Sequence, residues 1–222
     1  MGSEAVLGIT LAVATLVASA CSKGDDDGGT MGTSAPPSSE QGSTTLAPCA
    51  ENPHVAVFDI FGTLTPVADD VITWINTEEP PDARPYAASV AAAYKQRGYQ
   101  ILYVTGLPSS TLLDGKPAPD ALTEWLDNHD FPTGDGARIE LTETGDFKTE
   151  MSRDLTTLAG SGVKIDAAYT DNDSDLEVYI LSGAQQVYKL GAATSESRST
   201  LVPNDDMQAQ LKVVEALPAV CS

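Results

Sequence analysis

Short apolar runs alternate with segments of helical periodicity along most of this 222-residue chain, and the alternation constrains the fold more than any other feature. Runs of this length typically form buried strands, whereas apolar residues spaced three and four apart form one face of a helix. The predicted strands cover residues 55–58, 100–104, 137–141, 165–170 and 186–190. The predicted helices cover residues 85–97, 119–129, 147–159 and 205–217. This order predicts a three-layer α/β/α, Rossmann-like fold with a parallel sheet of about five strands.

One face of each predicted helix is apolar. Tyr86, Val90 and Tyr94 share the inner face of the first helix, and Gly98 stands where that helix is predicted to stop. The last helix is predicted to begin at Asn204, because Asn is a preferred first residue and two acids follow it. The other side chains predicted to face the sheet are Leu122, Trp125, Leu126, Met151, Leu155, Leu158, Met207, Leu211 and Val214.

The first 48 residues differ in composition from the rest. The apolar run 5–20 is too short to span a bilayer comfortably and ends in small residues before Cys21, as in a cleavable secretory signal. A cysteine at this place resembles a bacterial lipoprotein signal, in which Cys21 would be lipidated. A plain cleaved signal and an uncleaved anchor are the alternatives. Residues 22–48 are rich in Gly, Ser, Thr and Pro and predict a disordered linker.

These features divide the chain into a signal peptide over 1–21, a linker over 22–48 and a folded domain over 49–222. We expect a protein that is exported to the bacterial cell envelope and anchored to the membrane through its N-terminal lipid. Cys49 and Cys221 then stand at the two ends of the domain. The ends of compact domains often lie close together, and disulfides persist outside the cytoplasm, so we predict that these two cysteines pair. Two unpaired thiols are the alternative.

The formal net charge of −20 falls mostly within residues 49–222. A surface of this sign repels nucleic acid and anionic bilayers, which excludes a nucleic-acid partner. It is also compatible with divalent cations, although a solvated acidic surface explains the charge equally well.

Polar residues follow three of the predicted strands at the point where each strand ends. Asp59 ends the first strand, Thr105 and Gly106 follow the second, and an acidic cluster from Asp171 to Asp175 follows the fourth. In open parallel sheets, ligands bind beyond the carboxyl ends of the strands, near the place where the strand order reverses. The sequence therefore predicts one site that combines a nucleophile, a hydroxyl group and a set of carboxylates.

Four segments resemble the motifs of the haloacid dehalogenase (HAD) superfamily, whose members are mostly phosphatases with an aspartate nucleophile. The segments are, in order, FDIFGTLT, YVTG, GDFKTE and TDNDSD. A closer similarity is to the lipin and Nir-type (LNS2-like) domains, a branch tied to phosphatidate and phosphatidylinositol. That similarity lies in GYQILYVTGLP, LTEWLDNHDFPTG, FKTEMSRDL and AAYTDNDSDLEVY.

The resemblance implies a role for each matching residue. Asp59 would attack phosphorus and form an aspartyl phosphate, Thr105 would hydrogen-bond a phosphoryl oxygen, and Lys148 would neutralise charge. Asp171, supported by Asp175, would bind Mg²⁺. The Asp59 carboxylate and the main-chain carbonyl of Phe61 would complete the metal site, and the remaining contacts to substrate would come from Thr63, Gly106 and Ser109. Asp173 is interpreted as a solvated turn residue or helix cap.

Phe61 departs from the phosphatase pattern. In those enzymes the residue two after the nucleophile is an acid that protonates the leaving oxygen and later activates water. A phenyl ring cannot move a proton, and general acid–base catalysis contributes roughly 10²- to 10⁴-fold in rate. Leu107 is a second departure, since the lipin/Nir-type branch usually has an arginine there. Asp69 and Asp70 are candidates to supply the missing acid.

Three functions remain open on the sequence. The first is a weakened Mg²⁺-dependent phosphohydrolase that acts on a phosphate ester, such as a phospholipid headgroup. The second is a catalytically silent domain that binds phosphate or a lipid headgroup with Mg²⁺. The third is a haloacid dehalogenase, because FDIFGTL is similar to the dehalogenase motif, which has an aromatic residue at the position of Phe61. Dehalogenases rely on a cap domain, and the 46 residues from Asp59 to Thr105 leave no room for a large one.

Overall fold

The central sheet is parallel throughout and has six strands. The computed structural model describes residues 52–192 and 198–220. In chain order the strands are β1 (His54–Asp59), β2 (Gln100–Pro108), β3 (Leu112–Leu113), β4 (Lys116–Pro117), β5 (Ala137–Thr142), β6 (Lys164–Thr170), β7 (Gln186–Lys189) and β8 (Ser199–Leu201). The sheet order is β5-β2-β1-β6-β7-β8, while β3 and β4 form a separate antiparallel pair.

Helices cover both faces of the sheet. They are α1 (Asp70–Thr77), α2 (Ala87–Gln96), α3 (Ala118–Asn128), α4 (Phe147–Gly160), α5 (Asp173–Leu181) and α6 (Met207–Glu215). Because side chains alternate along a strand, Ala56 and Phe58 of β1 pack with α1, α2, α3 and α6, while Val55 and Val57 pack with α4 and α5. Both faces of β1 are therefore buried, which is why its sequence is apolar without a break.

The predicted α/β/α fold class is confirmed, and β8 adds a sixth strand at the edge. Two helix starts were wrong. The helix predicted over 85–97 is α2, which begins at Ala87, because Tyr86 has a left-handed backbone (φ +65°) and is 48% exposed. The last begins at Met207, because residues 203–205 form a separate 3₁₀ turn and Asp206 caps the helix by accepting a hydrogen bond from the Ala209 amide.

The strand order reverses at β1. The chain passes from β1 to β2 and β5 on one side, then crosses to β6, β7 and β8 on the other. The crevice between β1 and β6 is therefore where a ligand is expected to bind in this topology. Asp59 is the last residue of β1, and Asp171 directly follows β6.

A stack of aromatic rings fixes these strands relative to one another just below that crevice. The Phe58 and Tyr169 rings are stacked with centroids 4.7 Å apart, and Tyr169 stacks on Tyr188 at 4.7 Å. The Tyr169 hydroxyl lies 2.9 Å from the Tyr94 hydroxyl and accepts a hydrogen bond from the Gln210 amide at 2.7 Å. Residues 59 and 170 immediately follow the first two rings along the chain, so the stack sets the positions of the site residues.

Several predictions concern residues that the structure does not describe. The signal peptide, the linker, and the cysteines Cys21, Cys49 and Cys221 all lie outside the described ranges, so lipidation and the disulfide stay predictions. Among the described helices, none is long and apolar enough to cross a membrane.

Candidate functional site

A cleft of about 920 Å³ opens at the carboxyl ends of the central strands. Most of the residues predicted for the site line it, namely Asp59, Phe61, Thr105, Gly106, Lys148, Asp171 and Asp175. Thr63 and Ser109 are not among its described lining residues: Thr63 is fully buried, and Ser109 lies on an exposed turn where its amide donates to the Thr142 carbonyl. The four sequence motifs therefore meet in one place, and the substrate contacts of Thr63 and Ser109 stay predictions.

The Asp59 carboxylate lies at the floor of the cleft and is only 7% exposed. Burial raises its pKa well above the ordinary value, and the negative charges of Asp175 and Asp171 raise it further. The Thr170 hydroxyl donates a long hydrogen bond of 3.5 Å to its Oδ2 atom and partly offsets these effects. A cation that joined the site would favour the ionised form of this carboxylate.

The turn after Asp59 is built so that Asp171 can approach it closely. Gly62 has φ +78°, and a β-carbon placed there would lie 2.1 Å from Oδ2 of Asp171. The Gly62 amide donates to the Thr65 hydroxyl at 2.9 Å, which closes the turn. The glycine of the first motif is therefore required both by the backbone conformation and by the neighbouring carboxylate.

Arg84 holds the same turn from outside. Its guanidinium donates to the carbonyls of Gly62 (2.6 Å), Thr63 (2.9 Å), Thr65 (3.2 Å) and Pro66 (3.0 Å). The Arg84 amide also donates to the Leu64 carbonyl at 2.6 Å. One side chain that satisfies four main-chain acceptors fixes the path of the loop that presents the nucleophile.

Thr105 lies in β2, next to Val104, which pairs with Asp59, and is 3% exposed. Its hydroxyl accepts a hydrogen bond from the Leu107 amide at 3.3 Å, and this bond orients the Thr105 side chain. The Leu107 side chain also lines the cleft. An apolar side chain therefore occupies the place where the lipin/Nir-type pattern usually carries an arginine.

Solved phosphatases share this fold. The D,D-heptose 1.7-bisphosphate phosphatase of B. bronchiseptica, solved with magnesium and phosphate, superimposes with a TM-score of 0.53 at 14% identity, over 73% of this chain and 99% of that protein. The cobalt-bound deoxy-D-mannose-octulosonate 8-phosphate phosphatase of Haemophilus influenzae superimposes with a TM-score of 0.50 at 12% identity, over 72% and 85% of the two chains. The likeness establishes a HAD-like fold.

The sequence comparison decides the family. The family model for the LNS2 domain of PITM 1–3 matches residues 56–191, which is more than half of the chain. The chain belongs to the LNS2 domain family. Membrane-associated phosphatidylinositol transfer protein 3 of Mus musculus and that of Homo sapiens are each 29% identical to it over 124 residues. The match covers 52% of this chain and 11% of each relative. The resemblance to the HAD superfamily and its LNS2-like branch is thereby confirmed.

Lys148 of the LNS2 domain lines the cleft but is engaged elsewhere. Its ammonium lies 2.5 Å from a carboxylate oxygen of Glu177 on α5, and its side chain is 62% exposed. The hydrogen bond from Lys148 to Glu177 raises the lysine pKa. In this arrangement Glu177, not Asp59, is the partner of Lys148, so the predicted neutralising role would require the lysine to leave Glu177.

Two acids at the start of α4 fix the segment that precedes Lys148. The Asp146 carboxylate caps the helix by accepting from the Thr149 amide at 3.1 Å. The Glu150 carboxylate reaches back and accepts from the amides of Glu143 (2.5 Å) and Thr144 (2.9 Å). The Asp146 bond satisfies a main-chain donor that the helix start leaves free, and the Glu150 bonds satisfy donors of the preceding loop, so together they fix the third motif at the edge of the cleft.

Lys189 is a buried cation of the site that the sequence analysis missed. It ends β7, is 3% exposed, and donates to the carbonyls of Asp171 and, at 2.5 Å, Leu190. Its ammonium lies 3.7 Å from Oδ1 of Asp173. Burial raises the pKa of Asp171, and the Lys189 charge opposes that rise. A lysine at the end of an apolar strand was the available signal, since the other site residues occupy the same kind of position.

Three of the four carboxylates among the described cleft residues, those of Asp59, Asp171 and Asp175, suit a hard divalent cation by their chemistry. Asp171 is half-buried, and burial raises the pKa of Asp175 to about 6. Closely spaced, desolvated carboxylates are stabilised by a cation such as Mg²⁺, which takes oxygen ligands. Among the described residues, no group of three His, Cys, Asp or Glu side chains is placed to hold an ion together. The donors therefore fit Mg²⁺ by the chemistry of their oxygen atoms and not by a preformed arrangement; Asp59 and Asp171 are the residues that would hold the ion, with Asp175 in support.

The Phe61 ring occupies the side of the cleft where the phosphatase acid is expected. It is 8% exposed and packs into the apolar core. The candidates to replace that acid are not among the described lining residues: Asp70 accepts from the Val67 amide at 3.0 Å, and Asp69 is exposed. Asp173 is an exposed first residue of α5, and the cap of that helix is Asn172, which accepts from the Ser174 amide at 2.9 Å.

Proposed function

We propose that this LNS2 domain is a phosphohydrolase-type domain in which Asp59 attacks a phosphate ester with the help of Mg²⁺. The observation that supports the proposal best is the shared cleft, which the buried Asp59 lines together with Thr105, Asp171 and Asp175. A bound Mg²⁺ would supply charge neutralisation for the phosphoryl oxygens. The family and the phosphatase fold support the same class of chemistry.

Each residue has a step in this proposal. The Asp59 carboxylate forms the bond to phosphorus, and the Thr105 hydroxyl donates to a phosphoryl oxygen. Lys148 exchanges its contact with Glu177 for one with the phosphate, since both partners are anionic and the cleft lies beside the ion pair. Arg84 and Gly62 hold the nucleophile loop in place. Phe61 provides no proton to the leaving oxygen, so esters with poor leaving groups react slowly.

A phospholipid headgroup is the ester class that we propose, on the basis of family membership. The mouse and human relatives are membrane-associated phosphatidylinositol transfer proteins. In this proposal the protein is exported, and a lipid on Cys21 together with the 22–48 linker holds the domain at the membrane. Mass spectrometry of the purified mature chain, with Cys21→Ser as the control, tests the anchor: an unmodified Cys21 would contradict it.

The experiment that tests the proposal is phosphate release from p-nitrophenyl phosphate and from dispersed phosphatidate by the full chain. We expect slow release that requires Mg²⁺, stops with chelator and is absent in Asp59→Asn. Phe61→Asp should raise the rate by roughly 10²- to 10⁴-fold, the range of general acid–base catalysis. Release that persists in Asp59→Asn would contradict the assigned nucleophile.

A binding function without turnover is the second candidate, and two observations favour it. Phe61 removes the proton shuttle, and Lys148 is held by Glu177. In that case calorimetry should detect Mg²⁺-dependent binding of inorganic phosphate while no ester is hydrolysed. Turnover by the native chain would exclude this candidate.

A further inference from the structure

The polar groups of the cleft are suited to the attack of Asp59 on phosphorus but not to the later hydrolysis of the aspartyl phosphate. Six described lining residues are titratable: Asp59, Lys148, Asp171, Asp173, Asp175 and Lys189. Asp59 is the nucleophile, Asp171 and Asp175 are the candidate metal ligands, and the remaining three form ion pairs. In the described part of the cleft, no further carboxyl or imidazole is left to carry a proton to or from the reacting oxygens.

The reaction of such a site depends on the leaving group. An alkoxide leaving group needs a proton as it departs, and Phe61 cannot donate one. An acyl phosphate needs none, because its leaving group departs as a carboxylate that is stable at neutral pH. Attack on an acyl phosphate therefore does not require the acid that the chain lacks.

We propose, building on the function proposed above, that Asp59 accepts a phosphoryl group from a small acyl phosphate and keeps it as a long-lived aspartyl phosphate. A carboxylate oxygen of Asp59 forms a bond to phosphorus. The bond from phosphorus to the acyl oxygen breaks, and its electron pair leaves with the carboxylate product. No proton moves in this step, and the charge is conserved.

The surroundings of Asp59 protect the product from water. Hydrolysis of an aspartyl phosphate requires a base that activates the attacking water, and Phe61 is not a base. Phe61, Leu107, Phe147 and Val71 also give the cleft an apolar wall around the nucleophile. Loss of general base catalysis alone slows water attack by roughly 10²- to 10⁴-fold. The phosphorylated domain is thus a persistent second state of the protein, formed when acyl phosphate and Mg²⁺ are both present.

The test is to incubate the full chain with acetyl phosphate and Mg²⁺, pass it into donor-free buffer and measure the intact mass over time. We expect one added phosphoryl group that maps to Asp59, is removed by hydroxylamine and survives the change of buffer. The label should be absent with chelator and in Asp59→Asn. In Phe61→Asp its lifetime should fall by roughly 10²- to 10⁴-fold.

Phe61→Asn is the matched control, since asparagine has the size of aspartate but cannot accept a proton. It should shorten the lifetime far less than Phe61→Asp. An equal loss in both variants would show that the ring only excludes water, which would overturn the assignment to the missing base. If either variant fails to fold, the lifetime of the native label still decides the proposal.

The remaining outcomes separate this inference from the function on which it rests. Phosphate release from acetyl phosphate that depends on Asp59, without an accumulating label, would overturn the inference and leave the proposed phosphohydrolase in place. Neither label nor release from any donor with Mg²⁺ would overturn both.

Discussion

Gly62 is the residue at which the geometry of the site is most tightly constrained. Its φ of +78° is unfavourable for other residues, and a β-carbon would lie 2.1 Å from the Asp171 carboxylate. Gly115, in the turn between β3 and β4, has a similar φ of +68°, but a β-carbon placed on it would have no atom within 4 Å. The two glycines therefore separate the effect of backbone conformation from the effect of crowding.

We expect Gly115→Ala to lower the free energy of unfolding by about 1–2 kcal/mol, the typical effect of a left-handed backbone at a residue with a side chain. Gly62→Ala should lower it by at least twice as much, because the methyl group also displaces Asp171. Urea denaturation with and without Mg²⁺ measures both. Stabilisation by Mg²⁺ should be lost only in Gly62→Ala, and equal losses in the two variants would show that Asp171 does not depend on this glycine.

The site residues that the sequence analysis missed share a physical reason. Lys189 is buried among main-chain carbonyls, and a lysine next to an apolar run is usually solvated. Arg84 binds four carbonyls that precede it by 18 to 22 residues, and carbonyl groups leave no trace in the side-chain pattern. Asp59, Thr105 and Asp171 were predictable because each directly follows a strand predicted from the sequence.

At the scale of structural elements, the loop from β1 to α1 depends on Arg84. Replacing Arg84 with Met keeps the length of the side chain but leaves four carbonyls without their donor. We expect a loss of at least about 1–3 kcal/mol in the free energy of unfolding, the usual effect of an unsatisfied buried polar group. Arg153→Met is the control: Arg153 is 63% exposed and, among the described residues, its ion pair is with its neighbour Asp154, so its loss should change stability by less than about 0.5 kcal/mol. Similar denaturation midpoints for the two variants would contradict the role of Arg84.

The loop from β5 to α4 gives a pH dependence through Glu150. Hydrogen bonds from the Glu143 amide and from Thr144 hold the pKa of Glu150 below its ordinary value of 4.5. The folded state thus favours the ionised form, so this contribution is fully present above pH 4.5 and is lost as the pH falls through the lower, folded-state pKa. Glu150→Gln should lower the melting temperature at pH 7. The difference in melting temperature between this variant and the native chain should shrink below pH 4.5.

Thermal unfolding from pH 3 to pH 8 measures this difference. Asp154→Asn is the control, because Asp154 is a partly exposed acid on the same helix and, within the described ranges, its ion pair is with the exposed Arg153. A difference between Glu150→Gln and the native chain that stays constant with pH would show that the carboxylate charge does not hold the loop.

The strands and helices that the sequence predicted are those whose apolar residues recur at a regular spacing. Residues 55–58 and 165–170 form strands because their apolar side chains fill both faces of the sheet. The segment 173–181 was missed as a helix, since its buried residues include Asp175 next to Leu176 and give no clean apolar stripe. The short β8 and the β3–β4 pair were missed because two or three residues carry too little pattern to be recognised.

At the scale of the whole molecule, the parallel sheet brings together groups that are far apart in the chain. Asp59 and Asp175 are separated by 116 positions, yet the negative charge of Asp175 raises the pKa of Asp59. The domain folds around carboxylates that repel one another, and a bound Mg²⁺ would remove that repulsion. Phe61 leaves this arrangement in place and removes only the proton transfer.

The most direct measurement of the central claim is the melting temperature of the full chain with Mg²⁺ and beryllium fluoride, a mimic of a phosphoryl group on aspartate that needs no acid or base to bind. At a hundredfold excess over Kd, we expect a rise of about 5–10 °C. The rise should require Mg²⁺ and be absent in Asp59→Asn. No rise, or an equal rise in Asp59→Asn, would show that Asp59 and the cleft carboxylates do not form a phosphoryl site.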